Sequence, residues 1–220
     1  VESLTPQRLV EWLTYYVVLL FSVSVHEAAH GWTALQMGDD TAASQGRVSL
    51  NPLVHIDPLG TVVMPLLQLF GPGIPLLAWA KPTPVGAHNF RRLARGHILV
   101  AAAGPVSNMI LAAIFVAAEY VLVRSGLDRM DARPLYALVE GGILMNVGLA
   151  VFNLVPIPPL DGSWIVSWGL PRPLAEPYDE VMERYGPFIF IALFLSGALS
   201  WVMRPFITAT ILIVQAIVSR

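Results

Sequence analysis

Residues 12–38 form an apolar run whose only formal charge is Glu27. A helix of that length crosses a hydrocarbon core of roughly 30 Å, at about 1.5 Å per residue. Inside the run lies Phe21-Ser22-Val23-Ser24-Val25-His26-Glu27-Ala28-Ala29-His30-Gly31. Polar and ionisable groups within such a helix are costly unless paired or hydrated, so they are read as functional. A turn of about 100° per residue sets His26 and His30 on one face, with Glu27 beside them. Two imidazoles at i and i+4 can hold one metal ion, zinc being the usual one. A neighbouring carboxylate can take a proton from an attacking water. His-Glu-x-x-His is thus a metallohydrolase pattern.

The rest of the chain agrees with a membrane setting. Of 220 residues, 55% are hydrophobic and 13% charged, and the mean hydropathy is +0.65. These values describe an integral membrane protein. A net charge of −2 argues against a nucleic-acid partner. There is no cysteine, so any metal must use His, Asp or Glu. The first apolar run is too long for a cleavable signal peptide. No linker, repeat or low-complexity tract interrupts the chain, and a single domain over residues 1–220 is expected. The chain begins at Val1 rather than Met, which leaves its N-terminus open.

The expected fold is a mainly α-helical polytopic membrane protein with about five spanning helices. Thr5 and Pro6 should start the first helix and Gly38 end it. Residues 97–123 and 135–155 read as the next two helices. The apolar runs 185–203 and 205–219 meet at Arg204-Pro205 and suggest a tight helical hairpin. Residues 164–183, mixed polar and aromatic, read as interfacial. Gly46-Arg47-Val48-Ser49-Leu50 reads as a short membrane-embedded strand, one arm of a β-hairpin. Residues 58–80 are apolar but broken by Pro65, Gly71-Pro72-Gly73 and Pro75, which allows either a crossing or a re-entrant dip. Lys81, Arg91, Arg92 and Arg95 mark a basic loop at the lipid headgroups. In Ala103-Gly104-Pro105-Val106-Ser107-Asn108, small residues admit a neighbouring helix closely. Asn108 there reads as a packing or hydrogen-bonding residue, and His55 as a loop residue or a support behind the metal ligands. His88 and His97 need no function.

A catalytic zinc takes three protein ligands and keeps one position open. Asp161, placed after Pro156, Pro158 and Pro159 and before Gly162, is the favoured third ligand; Asp57, Glu140 and His55 are rivals. His26 and His30 lie about 12–18 Å from the C-terminal end of the first helix. Asp161 shares that depth only if residues 58–80 dip in and return, so a re-entrant segment is expected. The face at which the first helix ends then carries Arg47, Lys81, Arg91, Arg92, Arg95, Arg172, Arg184 and Arg220. The other carries Arg8, Arg124, Arg129, Arg133 and Arg204. Eight against five makes the first face cytoplasmic.

These residues resemble the site-2 protease family of intramembrane zinc metalloproteases, in its compact prokaryotic form. The resemblance rests on His26-Glu27-Ala28-Ala29-His30 within an apolar helix and on Asn153-x-x-Pro156-x-Pro158-x-Leu160-Asp161-Gly162. Blocks at residues 51–58, 80–85 and 103–108 add to it. The resemblance implies zinc on His26, His30 and Asp161, Glu27 as general base, and Asn153 in substrate or oxyanion binding. It also implies a membrane-embedded β-sheet after the first motif. The sequence departs from some members in having no helix before that motif, and from others in having no room for PDZ or CBS domains.

The implied activity is hydrolysis of peptide bonds within or near transmembrane segments of membrane proteins, in a prokaryotic inner membrane. The site would lie nearer the cytoplasmic face. The substrate helix must unwind, and Gly46, Arg47, Val48, Ser49 and Leu50 would bind it by β-addition. The oligomeric state is open, a homo-oligomer included. The alternative is a polytopic metal-binding transporter that uses the same groups as a permeation site.

Overall fold

The computed structural model describes residues 5–70 and 78–218, and every regular element among them is helical. In order these are α1 (Pro6–Met37), α2 (Thr41–Ser44), α3 (Met64–Phe70), α4 (Leu93–Arg124), α5 (Arg133–Asn153), α6 (Asp161–Gly169), α7 (Arg172–Leu195) and α8 (Ala198–Val218). A π-helical turn, Pro58–Val63, leads into α3. The start of α1 follows from its sequence. Thr5 Oγ1 accepts the Arg8 N–H at 3.3 Å, and Pro6 fills a first-turn position that needs no donor. Gly38, at φ 108°, ends the helix in the left-handed region.

Among the described residues four helices, α1, α4, α5 and α8, are long and apolar enough to cross a membrane. This corrects the expectation of about five. The first half of α7 carries Arg172, Glu176, Asp179, Glu180, Glu183 and Arg184. Its apolar remainder, residues 185–195, is about 16 Å long, too short to span. The break between α7 and α8 falls at Ser196-Gly197, with Gly197 at φ 75°, and Pro205 lies inside α8. Leu199 and Met203 share a cavity wall with Leu149 and Phe152 at the end of α5. Val214 and Val218 share another with Val123 and Leu127 at the α4–α5 turn. Helix α8 therefore runs antiparallel to α5 and ends beside that turn.

No strand occurs among the described residues. At the expected β-hairpin, Gly46-Arg47-Val48-Ser49-Leu50, the first two residues cap a helix and the other three follow as irregular backbone. Gly46, at φ 67°, follows α2, its N–H donates to Ala43 O and the Arg47 N–H donates to Ala42 O. Those paired bonds are a Schellman cap, which satisfies the backbone groups a strand would have offered to a ladder.

Residues 58–70 lie antiparallel to the first half of α1. Tyr16 OH donates to Thr61 O at 2.8 Å, Trp12 Nε1 to Pro65 O at 3.2 Å and Arg8 Nη2 to Leu69 O at 3.4 Å. Residues 71–77, with Gly71-Pro72-Gly73 and Pro75, lie outside the described residues. When the chain resumes, Trp79 packs against Gly60, where a Cβ would meet its ring at 2.5 Å. The Lys81 N–H then donates to His55 O at 2.8 Å. Both ends of the 58–80 stretch thus sit at one level. Close helix packing rests on small residues: Gly141 admits Tyr15 and Gly142 admits Phe115.

Candidate active site

His26 and His30 project from α1 toward α4, and Asp161 reaches them from the first residue of α6. Asp161 Oδ2 lies 3.2 Å from His26 Nε2 and 3.4 Å from His30 Nε2. The two Nε2 atoms are 3.0 Å apart. One potential ligand atom from each of the three residues lies within 4.8 Å of the others. Asp57 and Glu140 sit elsewhere. Asp57 Oδ1 accepts the Leu59 and Gly60 amides at 3.0 and 2.7 Å, and Glu140 pairs with Arg129. His55 is buried behind the loop, with Nε2 on Ser49 O at 2.8 Å.

Both rings are oriented from behind. His26 Nδ1 meets Asn108 Oδ1 at 2.6 Å, and His30 Nδ1 meets Val100 O at 2.7 Å. Asn108 Nδ2 donates to Asn146 Oδ1 at 2.8 Å and Ser22 O at 3.2 Å, which turns its Oδ1 to the histidine. Asn146 Nδ2 donates in turn to Ser22 Oγ at 2.9 Å. Ser22, Asn108 and Asn146 are fully buried. A carbonyl and an amide oxygen can only accept, so each Nδ1 carries a proton, and in the neutral ring each Nε2 presents a lone pair. Asp161 Oδ2 is buried and has no hydrogen-bond partner. With the rings neutral, three acceptors converge here, a costly arrangement in a low-dielectric interior unless a cation joins them. Two imidazole nitrogens and a carboxylate, with the rings held by outer hydrogen bonds, fit zinc.

Gly104 closes the other side of the trio. A Cβ there would fall 2.5 Å from His26 Nε2, His26 Cε1 and His30 Nε2. Small size at this point is what lets α4 approach the histidines. His97, given no role by sequence, stacks on Trp168 of α6 with ring centroids 4.1 Å apart, and so ties α4 to the helix that carries Asp161.

Glu27 stands beside the trio without joining it. Its Oε2 accepts the Thr83 N–H at 2.7 Å. The loop bearing Thr83 is pinned by two buried charges. Arg47 donates to the carbonyls of Lys81 and Pro82, and Asp39 accepts the Gly86 N–H at 2.7 Å and Asn89 Nδ2 at 2.9 Å. Burial alone would raise the Asp39 pKa. The donors from Thr41, Asn89 and Gly86 outweigh it and hold the carboxyl below its ordinary value.

The trio and Glu27 open on a cavity of about 1260 Å³, walled by Ala78, Trp79, Ala80, Pro82, Thr83 and Val85 and by apolar side chains of α5, α7 and α8. Asn153 lines it too, with Nδ2 donating to Leu149 O at 2.9 Å. Of the expected substrate-binding stretch, Gly46, Arg47, Val48, Ser49 and Leu50, none is among the described lining residues. Val48 packs instead toward Gly31, behind His30. Sequence reasoning missed Thr83, Val100 and Ser22 as parts of the site and read Gly104 only as one of the small residues that admit a neighbouring helix. Ser22 left a signal too, one helical turn before His26 on the same face.

A helical membrane bundle with a His-His-Asp trio and an adjacent glutamate has the makings of a membrane metalloprotease. The comparisons agree. The profile of "Peptidase family M50" matches residues 123–196, the part that holds Asn153 and Asp161. The chain is 36% identical over 206 residues to "Putative zinc metalloprotease YwhC" of Bacillus subtilis (strain 168), covering 93% of this chain and 89% of that protein. It is 29% identical over 189 residues to "Putative zinc metalloprotease Rip2" of Mycolicibacterium smegmatis, covering 82% of this chain and 66% of that protein. No solved structure gives a significant match. The chain belongs to peptidase family M50, the site-2 protease family, and is by that membership a zinc metalloprotease.

Proposed function

We propose that this chain cleaves peptide bonds within or near transmembrane segments of membrane proteins, as in regulated intramembrane proteolysis. The observation that carries this reading is the metal-ligand trio, two of its members on a membrane-length helix, opening on a mainly apolar cavity of about 1260 Å³. His26, His30 and Asp161 would hold zinc. Held there, it would supply Lewis acidity toward water and the scissile carbonyl. Glu27 accepts the proton of the attacking water and returns it to the leaving amine. Asn153 spends one amide hydrogen on Leu149 O. Its second is free to donate to the developing oxyanion. The apolar walls bind the substrate's side chains, and unwinding exposes its carbonyls.

Residues 58–80 enter and leave at one face, the cytoplasmic one. With α8 ending at the opposite side, that face carries Arg47, Lys81, Arg91, Arg92, Arg95, Arg172 and Arg184. The other carries Arg8, Arg124, Arg129 and Arg133, with Arg204 inside α8 and Arg220 beyond the described residues. Seven against four retains the cytoplasmic assignment.

The test uses single-span membrane peptides in liposomes. Wild type should cleave and a chelator should stop it. Glu27→Gln should lose about 10²–10⁴-fold in rate while keeping zinc. Asp161→Ala should lose the zinc. Wild-type cleavage by Glu27→Gln would refute the assignment of the base. Zinc transport without cleavage would replace the protease reading altogether.

A further inference from the structure

The carboxylate assigned as general base is held by a backbone atom from outside its own helix. Glu27 Oε2 accepts the Thr83 N–H at 2.7 Å, and Thr83 Oγ1 donates back to the Glu27 carbonyl at 3.0 Å. Thr83 lies between Pro82 and Pro84. Proline has no N–H, so Thr83 offers the single amide donor in that tripeptide. The residue before a proline is also confined to extended backbone, which narrows the direction in which this N–H can point.

The tripeptide is anchored in turn by a buried arginine. The Arg47 guanidinium is buried and donates to Lys81 O and, at 3.3 Å, to Pro82 O. Arg47 owes its place to the cap that ends α2, where its own N–H donates to Ala42 O at 2.9 Å. A continuous series of contacts therefore runs from the end of α2 through Arg47 and Pro82 to the Thr83 amide and Glu27. A glutamate on a helix otherwise has three side-chain torsions to distribute among rotamers. One fixed donor on Oε2 selects among them and leaves Oε1 free to accept a proton.

We propose that the Thr83 amide, set in place by Arg47, is the positioning group for the Glu27 carboxylate. It aims the base and takes no part in holding the metal. This rests on Glu27 being the base, as assigned above.

The test compares Thr83→Val, which loses the hydroxyl alone, with Thr83→Pro, which loses hydroxyl and amide. Misplacing a reacting group by about 1 Å can cost about 100-fold, so the kcat of Thr83→Pro should fall about that far below that of Thr83→Val. KM should agree within about twofold, since ground-state binding is not the target. Zinc content should stay at that of wild type. Arg47→Met should show the same loss of kcat, and Arg47→Lys should recover part of it. Independently, hydrogen exchange of the Thr83 amide in the zinc-loaded protein should speed up about tenfold in Glu27→Ala, as expected for a lost hydrogen bond to a charged acceptor. Equal kcat in Thr83→Pro and Thr83→Val overturns the proposal. So does unchanged Thr83 exchange in Glu27→Ala, which decides the matter should Thr83→Pro fail to fold. Wild-type cleavage by Glu27→Gln would instead remove the reading of Glu27 itself.

Discussion

Replacing Gly104 by alanine sets two physical effects against each other. In a helix interior alanine is favoured over glycine by about 1 kcal/mol, so propensity alone makes Gly104→Ala stabilising. The site geometry gives the opposite sign. The new Cβ would lie 2.5 Å from both Nε2 atoms, whereas ordinary contact begins at 3.4 Å, so something must move by about 0.9 Å. The rings yield poorly, because Asn108 and Val100 grip both Nδ1 atoms at 2.6 and 2.7 Å. Overpacking of this kind costs about 1–3 kcal/mol. Expressed on the metal, that is roughly a 5- to 150-fold loss of zinc affinity, at tenfold per 1.4 kcal/mol. The assay is competition with a chelator of known affinity in detergent, paired with thermal unfolding with and without zinc. Gly169→Ala is the control, since a Cβ there meets nothing within 4 Å. Zinc affinity of Gly104→Ala within about twofold of wild type, with a raised Tm, would show that propensity wins and that α4 does not abut the ligands.

Two further outcomes are expected. Asn108→Leu keeps the side chain's approximate volume but leaves His26 Nδ1 and Asn146 Oδ1 without their partner. Loss of such an outer hydrogen bond weakens metal binding by about 10–100-fold, measurable by the same competition, and an unchanged affinity would remove Asn108 from the site. The chain has no native cysteine, so single cysteines report topology directly. Those at Asp40 and Asn89 should label from one side of a sealed vesicle, and those at Leu127 and Val218 from the other. Labelling of Asp40 and Asn89 from opposite sides would overturn the re-entrant reading of residues 58–80.

The sequence alone determined whatever depends on local pattern or on covalent spacing. Thr5, Pro6 and Gly38 delimit α1 because capping and left-handed backbone are local matters. His26, Glu27 and His30 fall into register because a helix repeats every 3.6 residues. Asp161 became the favoured ligand because three prolines and a glycine set it at the membrane end of a helix, and its carboxylate does meet both imidazoles. The tertiary structure decided what depends on which partner arrives. A glycine followed by β-prone residues suits a strand as well as a helix cap, and the bonds to Ala42 and Ala43 settle it for Gly46 and Arg47. The apolar end of α7 matched a spanning run until Gly197 turned the chain early. The groups that hold the site in place are the least visible of all. The Val100 carbonyl is a backbone group that every residue carries, the Thr83 amide is one that every residue but proline carries, and Gly104 contributes by lacking a side chain. Their roles exist only because α4 and the Thr83 loop arrive beside α1; the small residues at 103–108 allow a close neighbour but do not say which groups it brings.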